Sequence, residues 1–195
     1  MHLKIPLNLA VLALPALTAC TTISPSGMIA ASRLDPLGTP PDRIAAAVGV
    51  PETIRLASGD AVLRIAFRGG DAASVAQVEE VVPLDFRAAT ANAPSGREGE
   101  TVYVARLTPQ NAGRFAAAQE QIRGLREQGV RGSGVLAVEI VGGCHVGPAP
   151  STLPVSSWLQ TNPADGFVQL TQGTDVFSVT DGHTASELRS RLREC

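Results

Sequence analysis

Large apolar residues alternate with polar or small ones along the first half of the chain, with the period of two that is typical of half-buried β-strands. The alternation predicts four strands, at residues 53–56, 62–67, 78–86 and 101–107. Ser58, Gly59 and Asp60 separate the first two strands, which predicts a hairpin. Pro83 lacks an amide donor, so we expect the third strand to be bulged or to lie at a sheet edge.

After position 108 the apolar spacing changes to three and four residues, which predicts one long amphipathic helix. Thr108 is a suitable N-cap, Pro109 suits the first turn, and Gly129 ends the pattern. The apolar stripe consists of Phe115, Ala118, Ile122 and Leu125. Because the charged residues fall elsewhere, we expect the helix to pack on the sheet and to keep its other side in water.

Two shorter helices are also predicted. Residues 39–42, Thr-Pro-Pro-Asp, combine an N-cap, first-turn prolines and an acidic residue, so we expect a helix that runs through Val48 and stops near Gly49. Residues 184–187 form a capping box in front of a final helix over residues 188–193.

The second half of the chain adds strands. The run 135–141 is apolar except for Glu139, so we expect a central strand that is covered on both faces. Residues 155–161 and 167–171 predict a second hairpin, and residues 176–179 one more short strand. The predicted fold class is therefore α+β, with a mainly antiparallel sheet and the long amphipathic helix packed on it.

The N-terminus has the parts of an export signal. His2 and Lys4 form a basic start, and residues 5–17 are mostly apolar. Thirteen helical residues span only about 20 Å, which is short of the roughly 30 Å hydrocarbon core of a bilayer. The run closes with Leu17-Thr18-Ala19-Cys20.

This ending resembles the lipobox of bacterial lipoproteins, and the resemblance covers residues 1–20 only. It implies that residues 1–19 are a signal peptide and that Cys20 carries fatty acyl chains such as palmitate, which anchor the protein to a lipid bilayer. Thr21 stands where some lipoproteins have the aspartate that retains them in the inner membrane. The resemblance then favours the outer membrane of the cell envelope, facing the periplasm. The alternative is an ordinary signal peptide that is cleaved elsewhere.

The sequence divides into three parts. Residues 1–19 are the predicted signal peptide, and residues 20–39 are small, polar and without sustained periodicity, which predicts a lipidated tether. Residues 40–195 are predicted to form a single α+β domain.

Charge and composition exclude several functions. The formal net charge of −2 becomes −3 when Lys4 is removed, which argues against a nucleic-acid partner. Lys4 is also the only lysine in the chain. Schiff-base chemistry, a P-loop lysine and a Ser-Lys dyad therefore have no amine in the mature protein.

The two remaining cysteines form an even pair in a compartment that permits disulfides. We therefore predict a Cys144–Cys195 disulfide, which would tie the C-terminal hairpin and helix to the rest of the fold. The alternative is a free reactive thiol.

Candidate chemistry is sparse. Residues 132–137 fit G-x-G-x-x-A, but a dinucleotide site needs a strand before the glycines and a helix after them, and here the predicted order is reversed. Cys144, His145 and His183 suggest a metal or Cys-His site, yet neighbouring strand residues point to opposite faces and a disulfide removes the thiol. The acidic pairs are Glu79 with Glu80 and Glu98 with Glu100. We predict no cofactor, metal or catalytic site.

The leading hypothesis is a non-catalytic envelope lipoprotein that presents a protein-binding surface or serves as an accessory subunit. One alternative is a small envelope hydrolase with a dispersed site, for example His183 with Asp181 and a serine. Another is a carrier of a lipid or small apolar ligand, which needs a cavity between sheet and helix. Trp158 is either part of the core or an anchor for a partner.

Overall fold

The structure is a computed structural model and describes residues 34–70, 75–87 and 92–195. The strands are β1 (Ala45–Pro51), β2 (Ile54–Arg55), β3 (Ala61–Gly70), β4 (Val75–Pro83), β5 (Asp85–Arg87), β6 (Glu100–Arg106), β7 (Gly132–Ile140), β8 (Gly143–His145), β9 (Pro154–Gln160), β10 (Val168–Asp175) and β11 (Leu192–Glu194). The helices are α1 (Pro109–Glu127), α2 (Val176–Val179) and α3 (Gly182–Arg191), with 3₁₀ turns at Pro41–Arg43 and Pro163–Asp165. Within these ranges, none of the helices combines the length and the apolar character that crossing a membrane requires.

Strand β1 is the centre of a five-stranded antiparallel sheet with the order β10-β9-β1-β6-β5. Val48 and Val50 face the main core, while Ala47 packs against Trp158 on the opposite face. The helix predicted through Val48 is therefore wrong, and the only helical part is the short turn Pro41–Arg43. Pairing on both sides and burial on both faces override the local helix-start signal.

A three-stranded antiparallel sheet has the order β4-β3-β7. The strand that contains Pro83 lies at a sheet edge, as predicted, but it ends at Pro83, and Asp85–Arg87 pair with β6 in the other sheet. The first predicted hairpin is wrong because Ile54–Arg55 pair with β8 rather than with β3. The central position predicted for residues 135–141 is also wrong. Strand β7 pairs only with β3 among the residues that the structure describes, and its Val135 is 54% exposed. Strand β1 is instead covered on both faces, and so is its neighbour β9; the run of alanines in β1 is equally compatible with a helix.

The C-terminal region differs from its prediction in two details. The hairpin of β9 and β10 is confirmed. Residues 176–179, predicted as a strand, instead form the helical turn α2, because the Asp175 carboxylate accepts a hydrogen bond from the Phe177 amide and caps the turn. The N-cap of α3 is Asp181 rather than Thr184, so the last helix begins earlier than predicted.

Helix α1 matches its predicted bounds, with the Thr108 side chain capping its first turn. Its buried residues are Phe115, Ala118, Gln119 and Ile122. They join a core cluster that also contains residues of β1 and β3. The fold is therefore a mixed α+β structure with mostly antiparallel sheets.

Candidate binding groove

Cys144 and Cys195 form the predicted disulfide, with their Cα atoms 5.1 Å apart. Strand β11 runs parallel to β8 and pairs Arg193 with Cys144, so the last residue of the chain lies beside its partner cysteine. The bond closes a third, small sheet of β11, β8 and β2. Cys20 lies outside the described residues.

The histidines do not assemble with a cysteine into a site. His145 is buried, and its ring Nδ1 lies 2.8 Å from the carbonyl oxygen of Gly147. His183 is exposed in the first turn of α3. In residues 34–70, 75–87 and 92–195 there is no group of His, Cys, Asp and Glu that could hold a metal ion.

Asp181, proposed above as an acid beside His183, instead caps a helix. Its carboxylate accepts hydrogen bonds from the backbone amides of His183 and Thr184 and from the Thr184 hydroxyl. These bonds, with that of the Thr184 side chain the strongest, hold the pKa of Asp181 below its usual value. The Asp181 carboxylate therefore serves as the N-cap of α3.

Glu79, Glu80 and Glu100 each interact with different partners. Glu79 pairs with Arg64, and Glu80 pairs with Arg114, on opposite faces of β4. The carboxylate of Glu100 is only 5% exposed and accepts hydrogen bonds from the Ser156 hydroxyl at 2.9 Å and from the Arg97 amide at 2.9 Å. Neither predicted pair thus forms a two-carboxylate site.

Trp158 is buried, with 6% of its surface exposed. It packs against Ala47 and Val104 on the outer face of the five-stranded sheet, where partly buried Val102 and Phe167 join it. Its role is therefore core packing, one of the two interpretations that the sequence left open.

A half-open groove of about 550 Å³ lies between α1, residues 34–37 and a part of the three-stranded sheet formed by Ile65 and Ala66 of β3 and residues 134–136 of β7. We call it the β7 groove. Its lining is mostly apolar and includes Leu34, Leu37, Ile122, Leu136 and Leu170. Arg126 of α1 also lines it, with its guanidinium 5.6 Å from the centre of the Phe67 ring.

Two polar side chains of α1 hold one wall of this groove. The Gln119 amide donates hydrogen bonds to the carbonyl oxygens of Pro36 at 2.6 Å and Thr39 at 2.9 Å. The Arg123 guanidinium donates to the Leu37 carbonyl oxygen at 2.6 Å. Residues 34–39, which the sequence analysis placed in the tether, thus lie against α1.

Sequence reasoning did not identify this groove. One available signal was Gln119, a polar residue inside the apolar stripe of α1, which needs a partner when buried. The other walls come from β7 and β10, which are far apart in sequence. No local sequence pattern indicates that β7 and β10 contribute to the same groove.

Comparison with known proteins gave no match, whether to protein-family models, to curated proteins or to solved structures.

Proposed function

We propose that this chain is a bacterial envelope lipoprotein whose folded part is a non-catalytic protein-binding or accessory module that binds its partner in the β7 groove. The observation that carries the proposal is the apolar groove beside a strand edge that lacks a neighbour in the described part of the chain. Exposed apolar surface next to unpaired backbone groups is a common feature of protein-binding sites.

The anchor is part of the same proposal. Residues 1–19 are removed, acylated Cys20 fastens the protein to the lipid bilayer, and the folded part faces the periplasm from the outer membrane. Leu34 lines the groove and follows Cys20 by fourteen residues. A fully extended chain of that length reaches at most about 50 Å, so the groove stays close to the envelope surface.

Photocrosslinking tests the binding function with a matched pair of positions. Val135 and Val75 are both exposed valines, on the two edge strands of one sheet, with 54% and 63% of their surfaces exposed. We expect benzoylphenylalanine at position 135 of the full chain in intact cells to form one dominant protein adduct, and the same group at position 75 to form none. Equal adducts at both positions, or none at position 135, contradict the proposal.

The anchor is tested by metabolic labelling. We expect the wild-type chain to incorporate palmitate and to fractionate with outer membranes, and Cys20→Ser to lose both properties. Unchanged processing and fractionation of Cys20→Ser would overturn the lipoprotein assignment while leaving the groove untouched.

A second candidate function is that of a carrier for a lipid or small apolar ligand. It is favoured by the position of the groove between sheet and helix and by its volume of about 550 Å³, which lies in the usual range of small-molecule sites. Native mass spectrometry of gently extracted full chain distinguishes the two functions. A retained small-molecule mass that disappears in Leu136→Arg supports the carrier, and a ligand-free mass contradicts it.

A further inference from the structure

Strand β7 is the longest uncovered strand edge in the described part of the molecule. It pairs with β3 in continuous register from Gly69 opposite Gly132 to Ala61 opposite Ile140, without a bulge. Its other side carries backbone N–H and C=O groups for which the described residues supply no strand partner. Such an edge can accept a further strand.

The opposite edge of the same sheet is protected. On β4, the carbonyl oxygen of Val81 accepts a hydrogen bond from the Arg114 guanidinium at 3.1 Å, and that of Pro83 accepts one from the Asn111 amide at 2.8 Å. Side chains of α1 therefore occupy two of the backbone carbonyl groups, at the C-terminal end of β4, that another strand would use.

The other edges of the described sheets are short or irregular. Strands β2, β5 and β11 have two or three residues each. Strand β10 is longer, but its pairing with β9 shifts register twice between Gln169 and Thr174. Short and bulged edges are poor templates for strand addition, which leaves β7 as the suitable one.

The β7 groove sets the size of what can pair there. Gly134, Val135 and Leu136 line one side of it, while residues 34–37 and Leu170 of β10 line the others. Neighbouring strands lie about 4.8 Å apart, so a segment paired with β7 would lie beside the groove, with side chains from one of its faces directed toward these walls.

The charged residues near the start of β7 indicate which kind of peptide segment would bind there. Arg68, Arg126 and Arg131 are exposed around the first residues of β7. Arg68 lies opposite Ser133 in the sheet, Arg131 directly precedes the strand, and a Cβ built on Gly134 would lie 3.8 Å from the Arg126 Nη2. Within residues 34–70, 75–87 and 92–195 none of the three forms a salt bridge. An acidic group at this end of the added strand would be complementary.

We propose that β7 binds an extended peptide segment of another protein as a fourth strand, with apolar side chains in the β7 groove and a carboxylate-bearing end against Arg126 and Arg131. This inference rests on the proposed binding function and names its ligand class. The chain's own residues 21–33 are a poorer occupant, because they contain Arg33 and no carboxylate.

The test uses the full chain in detergent and a fluorescent ten-residue peptide that alternates valine with threonine and ends in two glutamates. Because strands pair in either direction, one acidic end is sufficient. We expect saturable binding by anisotropy, at least tenfold weaker binding when the glutamates are replaced by lysines, and no binding when alternate amides are N-methylated. Hydrogen exchange should slow at the amides of Gly134 and Leu136, which alternate with the amides bonded to β3 and so point toward the open edge.

Two arginines provide the matched variants. Arg126 and Arg189 each lie over a phenylalanine ring, at 5.6 and 4.1 Å, but only Arg126 lines the groove. We expect Arg126→Glu to weaken binding of the acidic peptide at least tenfold and Arg189→Glu to leave it unchanged.

Several outcomes overturn the inference. The first is the absence of binding up to about 1 mM peptide, a concentration that corresponds to a binding free energy of only about −4 kcal/mol. The second is equal binding of the N-methylated peptide. The third is slowed hydrogen exchange at residues away from β7. Protection of the Gly134 and Leu136 amides in the free chain also overturns it: if dilution removes the protection, a second copy occupies the edge, and if not, residues 21–33 do. A persistent crosslink at position 135 without peptide binding refutes strand addition but leaves the proposed function standing.

Discussion

The two edges of the three-stranded sheet share the central strand β3 and yet are finished in opposite ways. At the C-terminal end of the β4 edge, Asn111 and Arg114 of α1 bind the outward carbonyl oxygens of Pro83 and Val81. The β7 edge is bordered by a groove and by arginines without salt bridges in the described ranges. Part of one edge is thus covered by side chains of α1, while the described residues supply no strand partner for the other edge.

The largest expected effect is on the closed edge. Phe115 of α1 is fully buried in the core that includes Val78 and Val82 of β4. Phe115→Ala should lower the free energy of unfolding by about 3–5 kcal/mol, because it removes buried surface and leaves a cavity. Chemical denaturation measures this loss.

The matched change at the open edge is Leu170→Ala, which truncates a half-buried wall of the β7 groove. Leu170→Ala should lower the free energy of unfolding by less than half as much as Phe115→Ala does. If the two losses are equal, the groove wall is as tightly packed as the core and the contrast between the edges fails.

The second effect concerns the disulfide that holds the segment following β7. Strand β8 follows β7 after two residues and is tied by the Cys144–Cys195 disulfide. The variant with both cysteines changed to serine should lose about 2–5 kcal/mol of stability, since the bond closes a long loop in the unfolded chain. A reductant should lower the unfolding midpoint of the wild type and leave that of the double variant unchanged.

The wall of the groove gives the third effect. Gln119→Met keeps the volume of the side chain but leaves the Pro36 and Thr39 carbonyl oxygens without their donor, which should cost about 1–3 kcal/mol. The same change at Gln121, which is exposed on the same helix, should have no effect. Equal stability of both variants would show that residues 34–39 are not held by this contact.

The smallest effect is expected when the α1 side chains that bind the β4 edge are removed, which makes this edge more similar to the β7 edge. The double variant Asn111→Ala, Arg114→Ala should lose only about 1 kcal/mol, because both hydrogen bonds are exposed. We expect it to speed hydrogen exchange in β4 and leave exchange in β7 unaltered. Exchange in β4 that stays unchanged would mean that the helix backbone alone covers this edge.

Local signals identified the elements whose chemistry is local. Thr108, Pro109 and Gly129 delimited α1, and the period of two located β3 and β6. The predictions failed at β1 and β7, where composition conflicts with position in the sheet. The alanines of β1 suit a helix equally well, and the apolar run of β7 suits a covered central strand, although the fold places it at an edge.

The sequence by itself determined the α+β class, the long helix, the second hairpin and the disulfide pairing, because each depends on short-range periodicity, turn chemistry or cysteine parity. Only the tertiary structure decided the strand order, the burial of Trp158 and the β7 groove. Those features depend on contacts between residues far apart in the chain, such as Leu34 with Ile122 and Leu170 around one cavity. The pattern of one segment specifies which face it buries but not which partner buries it.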